Sequence, residues 1–205
     1  MYNSQRSVMK RSWPNMLTKG LIDMKKILIL TGSPRANGTT EKLAAAFERG
    51  ARAAGHEVVR FDAGKAHING CLGCNGCWSN DHACCHEDDF WALEPLLESC
   101  DAVAFVTPLY WLGFPAQLKA PIDKLYAYGG AGGTRPLTIK ESCLLISGEL
   151  EPGNREYEPL LDAYRQIAAF EGWTDRGTLV AGGFGAAGVE NTDALVRAEA
   201  LGRSF

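Results

Sequence analysis

Apolar residues run without a break from Ile27 to Leu30, and Thr31 closes the run. An unbroken run of this length, unlike an alternating one, fits a short strand buried on both faces of a parallel sheet. The next segment, GSPRANGTT from Gly32 to Thr40, is polar turn chemistry. Beyond it, EKLAAAFERGARAA sets Leu43, Phe47 and Ala51 four residues apart on one helical face. His56 to Phe61 predicts a second strand, and Phe90 to Glu98 a helix with Phe90, Leu93 and Leu97 aligned. Asp101 to Thr107 is a third strand. From Pro115 a helix carries Leu118, Ile122 and Leu125, with Pro121 expected to bend or restart it. Ser142 to Ser147, a helix over Tyr157 to Phe170, a strand over Thr178 to Ala181 and a helix over Thr192 to Leu201 complete the pattern. Strands that alternate with helices, with no internal repeat, predict a doubly wound α/β sandwich of three layers with right-handed crossovers. Ligands of such sheets bind at the carboxyl ends of the central strands.

Composition narrows the class. Of 205 residues, 46% are apolar and 22% charged, which excludes a disordered chain or a fibrous repeat. No apolar run nears the roughly 18 residues of a membrane span, so no membrane role is expected. A net charge of -3 from 21 basic and 24 acidic residues is too weak and too mixed for a nucleic-acid partner. Residues 1–23 concentrate Arg6, Lys10, Arg11 and Lys19 against a single Asp23. This stretch lacks the apolar core of a secretory signal and reads as an N-terminal extension, either flexible or the product of a mis-assigned start codon upstream of Met24. The ordered domain is expected to run over residues 24–205, opening at Met24. Without export, the protein is expected in the cytoplasm with its seven cysteines reduced.

The loop after the first strand carries the most chemistry. Ser33, Arg35, Asn37, Thr39 and Thr40 crowd a turn that feeds a helix amino terminus, while Gly32 and Gly38 let backbone wrap an anion closely. Free N–H groups and the positive end of the helix dipole make that turn a phosphate trap. It is not the nucleotide-hydrolase loop, because no lysine follows Gly38, and the dinucleotide pattern GxGxxG is also missing. The plainer alternative is a strand-to-helix loop capped by Thr39. A second loop, TPLYWLGFPAQLK from Thr107 to Lys119, leaves the third strand, which lies beside the first in a sheet of order 2-1-3-4-5. There Gly113 permits close approach, and Tyr110 and Trp111 offer flat apolar surface to a planar ring. Both loops are expected to face one crevice.

GSPRANGTT, TPLYWLGFPAQLKAPIDKLY and the Cys-rich loop ahead of DDF together resemble the NAD(P)H-dependent FMN reductases and iron-sulfur flavoproteins of the flavodoxin-like superfamily. The resemblance spans roughly Met24 to Arg203. It implies a five-stranded flavodoxin-like fold binding FMN noncovalently. Ser33, Arg35, Asn37, Thr39 and Thr40 match the phosphate-loop positions, and Pro108, Leu109, Tyr110 and Trp111 match the ring-side loop. Ser147, Gly148 and Glu149 occupy the place of a third ring contact. It further implies NAD(P)H as co-substrate, a small-molecule electron acceptor such as a quinone, nitroaromatic or flavin, and a homodimer or higher homo-oligomer. No general acid or base is named, since the flavin carries the hydride chemistry.

CLGCNGCWSNDHACC places Cys71, Cys74, Cys77 and Cys84 in the spacing CxxCxxCx6C, with Cys85 next. Three thiols at two-residue gaps can curl around one cubane. The family resemblance implies a 4Fe-4S cluster on these four cysteines, exchanging electrons with FMN. Zinc held by the same thiols with His82 or His86 is a second reading, although structural zinc usually takes two separated knuckles. A reversible disulfide or a plain thiol-lined loop is a third. Three function classes follow: a flavin oxidoreductase, an electron carrier serving a ferredoxin-like partner, and a non-catalytic metal or thiol module on the same fold.

Overall fold

A computed structural model of the chain describes residues 24–129, 135 and 137–205. The extension expected over residues 1–23 lies outside the described residues. The elements are β1 Lys26–Thr31, α1 Thr39–Ala53, β2 Glu57–Asp62, α2 Phe90–Ser99, β3 Ala102–Pro108 and α3 Ala116–Lys124. They continue with α4 Tyr126–Gly129, β4 Glu141–Ser147, α5 Glu158–Glu171, β5 Thr174–Ala181 and α6 Ala194–Arg203. All strand pairs are parallel, in the order β2-β1-β3-β4-β5.

The apolar runs divide their side chains between the two faces of the sheet. Leu28, Leu30, Val103, Phe105, Leu144 and Ile146 pack on one side with residues of α2, α3 and α5. Ile27, Ile29, Ala102, Ala104, Val106, Cys143 and Leu145 pack on the other with α1 and α6. Two separate cores, one above and one below the sheet, explain why the middles of β1, β3 and β4 are apolar at successive positions rather than at alternate ones. On the second face α1 and α6 meet backbone to backbone, because Gly50 and Gly202 have no Cβ to hold them apart.

Two expectations differ from the structure. Strand β5 begins at Thr174, four residues before Thr178, because the exposed Thr174 and Asp175 pair with Glu141 and Ser142 of β4 at the sheet edge, ahead of a register shift. An edge strand has no need of apolar residues on its outer side. Helix α3 also passes through Pro121 without interruption and is broken only at Leu125, before α4. Pro121, itself buried, therefore does not restart the helix.

Strand order reverses between β1 and β3, so the loops leaving these two strands diverge and open a crevice at the carboxyl edge of the sheet. Pro108, the last residue of β3, is in register with Ser147, the last residue of β4. The loop after β4 therefore borders the same edge.

Candidate functional site

The loop after β1 ends where α1 begins at Thr39, with Gly38 as the cap residue and no side chain capping the helix. The first backbone bond of the helix runs from the Lys42 N–H to the Gly38 carbonyl, 3.1 Å. The amides of Thr39, Thr40 and Glu41 thus precede any intrahelical bond, the ordinary condition of a helix start. Thr39 is the first helical residue, not the cap. Ser33 is nearly buried and its Oγ accepts the Arg35 N–H at 3.3 Å, which closes a tight local turn in the loop. Thr40 Oγ1 lies 2.8 Å from Ser147 Oγ, tying the helix start to the end of β4. Arg35 is exposed and forms no ion pair among the described residues.

These groups line one crevice of about 470 Å³ with Pro108, Leu109 and Tyr110 from the β3 loop and Ser147, Gly148 and Glu149 from the β4 loop. The volume falls within the roughly 300–1,000 Å³ of small-molecule sites. Backbone bonds fix its walls: the Leu109 N–H donates to the Ser147 carbonyl at 2.8 Å, and the Gly148 N–H to the Ala181 carbonyl at 3.0 Å. A side chain on Gly148 would collide with the Tyr157 hydroxyl, which donates to the Leu150 carbonyl at 2.7 Å. One end of the crevice thus offers free amides, hydroxyls and a guanidinium. The other offers proline, leucine and tyrosine surface. An anion with a flat apolar body attached suits that division.

Three residues expected at this site fall outside its lining. Asn37 has φ +58°, and this left-handed turn places it in a neighbouring polar hollow with Arg60, Asp62 and Lys65. Trp111 is 99% exposed. It and Leu112 have φ values of +43° and +69° between the bridged pair Tyr110 and Gly113, so the loop tip is a two-residue turn that carries Trp111 outward. Gly113 takes part in that bridge and makes no wall. Glu149, by contrast, is a wall of the crevice.

The Cys-rich loop stands between β2 and α2 and is anchored by polar bonds at both ends. Asp88 accepts the Asn69 N–H at 2.9 Å, the Phe90 N–H at 2.9 Å and the Lys124 ammonium at 2.6 Å. The Asp88 and Lys124 side chains are 4% and 3% exposed. Burial alone would raise the Asp88 pKa, but these three donors outweigh it and hold the carboxyl below its ordinary value. Asp88, rather than Asp89, therefore supplies the acceptor at the start of α2. On the far side Glu94 accepts the Ala83 N–H at 2.9 Å, and the Trp91 indole donates to the Cys84 carbonyl at 2.9 Å.

So held, the loop encloses a cavity of about 300 Å³ into which Cys71, Cys74, Cys77, Cys84 and Cys85 all open, with His86 and Lys124 beside them. Burial, followed by the nearby Cys71, Cys74 and Cys84, pushes the Cys77 thiol up. The Gly76 N–H, then His86 and Cys85, pull Cys74 down to about 7. The shared cavity and soft donor set fit an iron-sulfur cluster on the four predicted cysteines. By contrast, Cys100 and Cys143 are fully buried in the core, and burial raises Cys100 to about 11 and holds Cys143 well above its ordinary value.

A family model described as flavodoxin-like fold matches residues 25–202. The chain belongs to this flavodoxin-like family. An iron-sulfur flavoprotein of Archaeoglobus fulgidus is 37% identical over 106 residues, which make up 52% of this flavodoxin-like chain and 47% of that relative. The chain thus spans about half the length of the curated relative it matches. Among solved structures, an NAD(P)H:quinone oxidoreductase from Methanothermobacter marburgensis superposes with a TM-score of 0.68 at 21% identity, over 88% of this chain and 95% of that one. RosB, solved with 8-demethyl-8-formylriboflavin-5'-phosphate, gives 0.68 at 14% identity over 88% and 77%. Similarity at such identities shows the fold. Among the described residues no helix is long and apolar enough to cross a membrane.

Proposed function

We propose that the crevice binds FMN and that the protein is a flavin oxidoreductase, taking hydride from NAD(P)H and passing electrons to a small-molecule acceptor such as a quinone, nitroaromatic or free flavin. The observation that carries this is the convergence of the uncapped start of α1, the hydroxyls of Ser33, Thr39 and Thr40, and the free Arg35 with the apolar β3 loop in one crevice. The phosphate would sit against the first turn of α1, where free amides and the helix dipole favour an anion. Arg35 adds a charge-assisted contact. Pro108, Leu109 and Tyr110 would take the ring, and the β4 loop with Ser147 and Gly148 its polar edge. FMN supplies hydride acceptance and release, so orientation and exclusion of water are the tasks left to these side chains. The curated relative's name and the RosB ligand support a flavin. The fully exposed Trp111 beside the crevice supports a homodimer, which light scattering on the purified chain tests. Anaerobic mixing of the flavin-loaded protein with NADH and with NADPH is the decisive assay: bleaching of the flavin absorbance is expected, and none with either nucleotide removes the reductase reading.

A second reading keeps the flavin but makes the protein an electron carrier to a ferredoxin-like partner. Its support is the opening of Cys71, Cys74, Cys77 and Cys84 into one cavity. In that case the anaerobically purified protein contains iron and labile sulfide in equal amounts and turns over pyridine nucleotide slowly.

A further inference from the structure

Cys74, Cys85 and His86 form the one group of three metal-ligating side chains whose donor atoms lie within 4.8 Å of one another among the described residues. The set differs from the four-cysteine spacing of the loop, sharing only Cys74 with it. Two of its internal distances match those around one tetrahedral ion. A tetrahedral zinc ion with bonds of about 2.3 Å to sulfur and about 2.0–2.1 Å to nitrogen holds two thiolates about 3.8 Å apart and a thiolate about 3.5–3.6 Å from an imidazole nitrogen. Cys74 Sγ lies 3.8 Å from Cys85 Sγ and 3.5 Å from His86 Nε2. Sulfurs bound to separate irons of a cubane lie farther apart than sulfurs sharing one ion, so this spacing, itself that of two thiols in contact, suits one ion and not a cluster edge. It is also far beyond the disulfide bond length of about 2.05 Å, and a disulfide would leave His86 without a part.

The backbone is shaped for this approach. Asn75, at φ +59°, reverses the chain after Cys74, and Gly76 follows. A Cβ at Gly76 would collide with Cys85 Sγ, so the glycine is what admits Cys85 beside Cys74. All three ligand residues are exposed, which leaves a fourth position open to water or another donor.

We propose that Cys74, Cys85 and His86 form a three-ligand site for a single zinc-class divalent ion with an open fourth position. Binding expels the two thiol protons to solvent and changes no oxidation state. Because Cys74 is common to both sets, the ion and a cluster on Cys71, Cys74, Cys77 and Cys84 exclude each other. The site is independent of the flavin.

The test uses the full chain, stripped of metal under reducing conditions and titrated with Co2+ and then Zn2+. A single-equivalent end point with thiolate-to-cobalt charge-transfer absorption is expected, with the cobalt displaced by zinc. Cys85→Ser and His86→Ala each lose a ligand, and so should weaken binding by at least the roughly 10–100-fold that loss of an outer-shell partner costs. Cys71→Ser and Cys77→Ser should bind as the parent does. The altered residues are exposed or half-buried, and an unchanged thermal melt checks each fold; His86→Gln is the second variant at that position. Absence of the charge-transfer band, parental affinity in Cys85→Ser and His86→Ala, or equal loss in Cys71→Ser and Cys85→Ser overturns the site. Failure to reconstitute iron and sulfide would end the cluster reading and leave this titration unaffected.

Discussion

Replacing Lys124 by Met removes one member of a buried ion pair and leaves the other. The Asp88 carboxylate, 4% exposed in the parent, keeps two backbone donors, the amides of Asn69 and Phe90. Breaking a buried pair from one side costs about 3–5 kcal/mol. The carboxylate can instead protonate, which at pH 7 costs about 4 kcal/mol from an ordinary value near 3.9, and this caps the penalty. The expected loss is therefore about 3–4 kcal/mol, a fall in melting temperature of about 6–16 °C for a chain of this size. Urea unfolding of parent, Lys124→Met and the Asp88→Asn/Lys124→Met double variant is the assay. The double variant should recover more than half of the loss, because no charge remains stranded. Asp88 titrates below its ordinary value when folded, so the stability it gives is present above the unfolded pKa and is lost as pH falls through the folded one. The gap between parent and Lys124→Met should therefore narrow in acid. A loss below about 1 kcal/mol at pH 7, the worth of an exposed pair, would refute the burial argument.

Two further outcomes follow from local geometry. Trp111 and Leu112 hold consecutive positive φ angles that suit Asn-Gly, so Trp111→Asn/Leu112→Gly should raise stability by about 1 kcal/mol in the same urea assay; a less stable variant would mean that the two side chains contribute more than their strain costs. In the metal-free protein Cys74 should be the thiol alkylated fastest at neutral pH, with a rate that rises through pH 7, because the Gly76 N–H, His86 and Cys85 hold it near that value. Peptide mapping by mass spectrometry reads this site by site, and a Cys74 rate that rises only near pH 9 would contradict it.

The central strands were legible because burial on both faces demands apolar residues throughout, and Ile27–Leu30, Val103–Val106 and Cys143–Ile146 all meet that demand. The first four residues of β5 were not, since an edge strand can be polar and hydropathy then carries no signal. At the crevice, residue types announced the chemistry of Ser33, Arg35, Thr39 and Thr40 ahead of a helix. Backbone handedness was invisible, and it is the left-handed turns at Asn37 and at Trp111–Leu112 that carry those side chains away from the lining. In the Cys-rich loop the regular spacing drew attention to Cys71, Cys74, Cys77 and Cys84. The adjacent Cys85-His86 pair and the bare Gly76 were the signal that a second donor set folds onto Cys74.

The most direct measurement of flavin binding at the crevice is an equilibrium titration of the purified, flavin-free chain with FMN and with riboflavin, followed by quenching of flavin fluorescence, in the parent and in Arg35→Ala. Arg35 is free of any carboxylate among the described residues, so its loss removes a charge-assisted contact worth about 1.5–3 kcal/mol. FMN should bind more tightly than riboflavin in the parent, and its affinity should fall about tenfold to a hundredfold in the variant while riboflavin is unaffected. Equal affinity for the two flavins, with no change on removing Arg35, would contradict a phosphate seated at the start of α1.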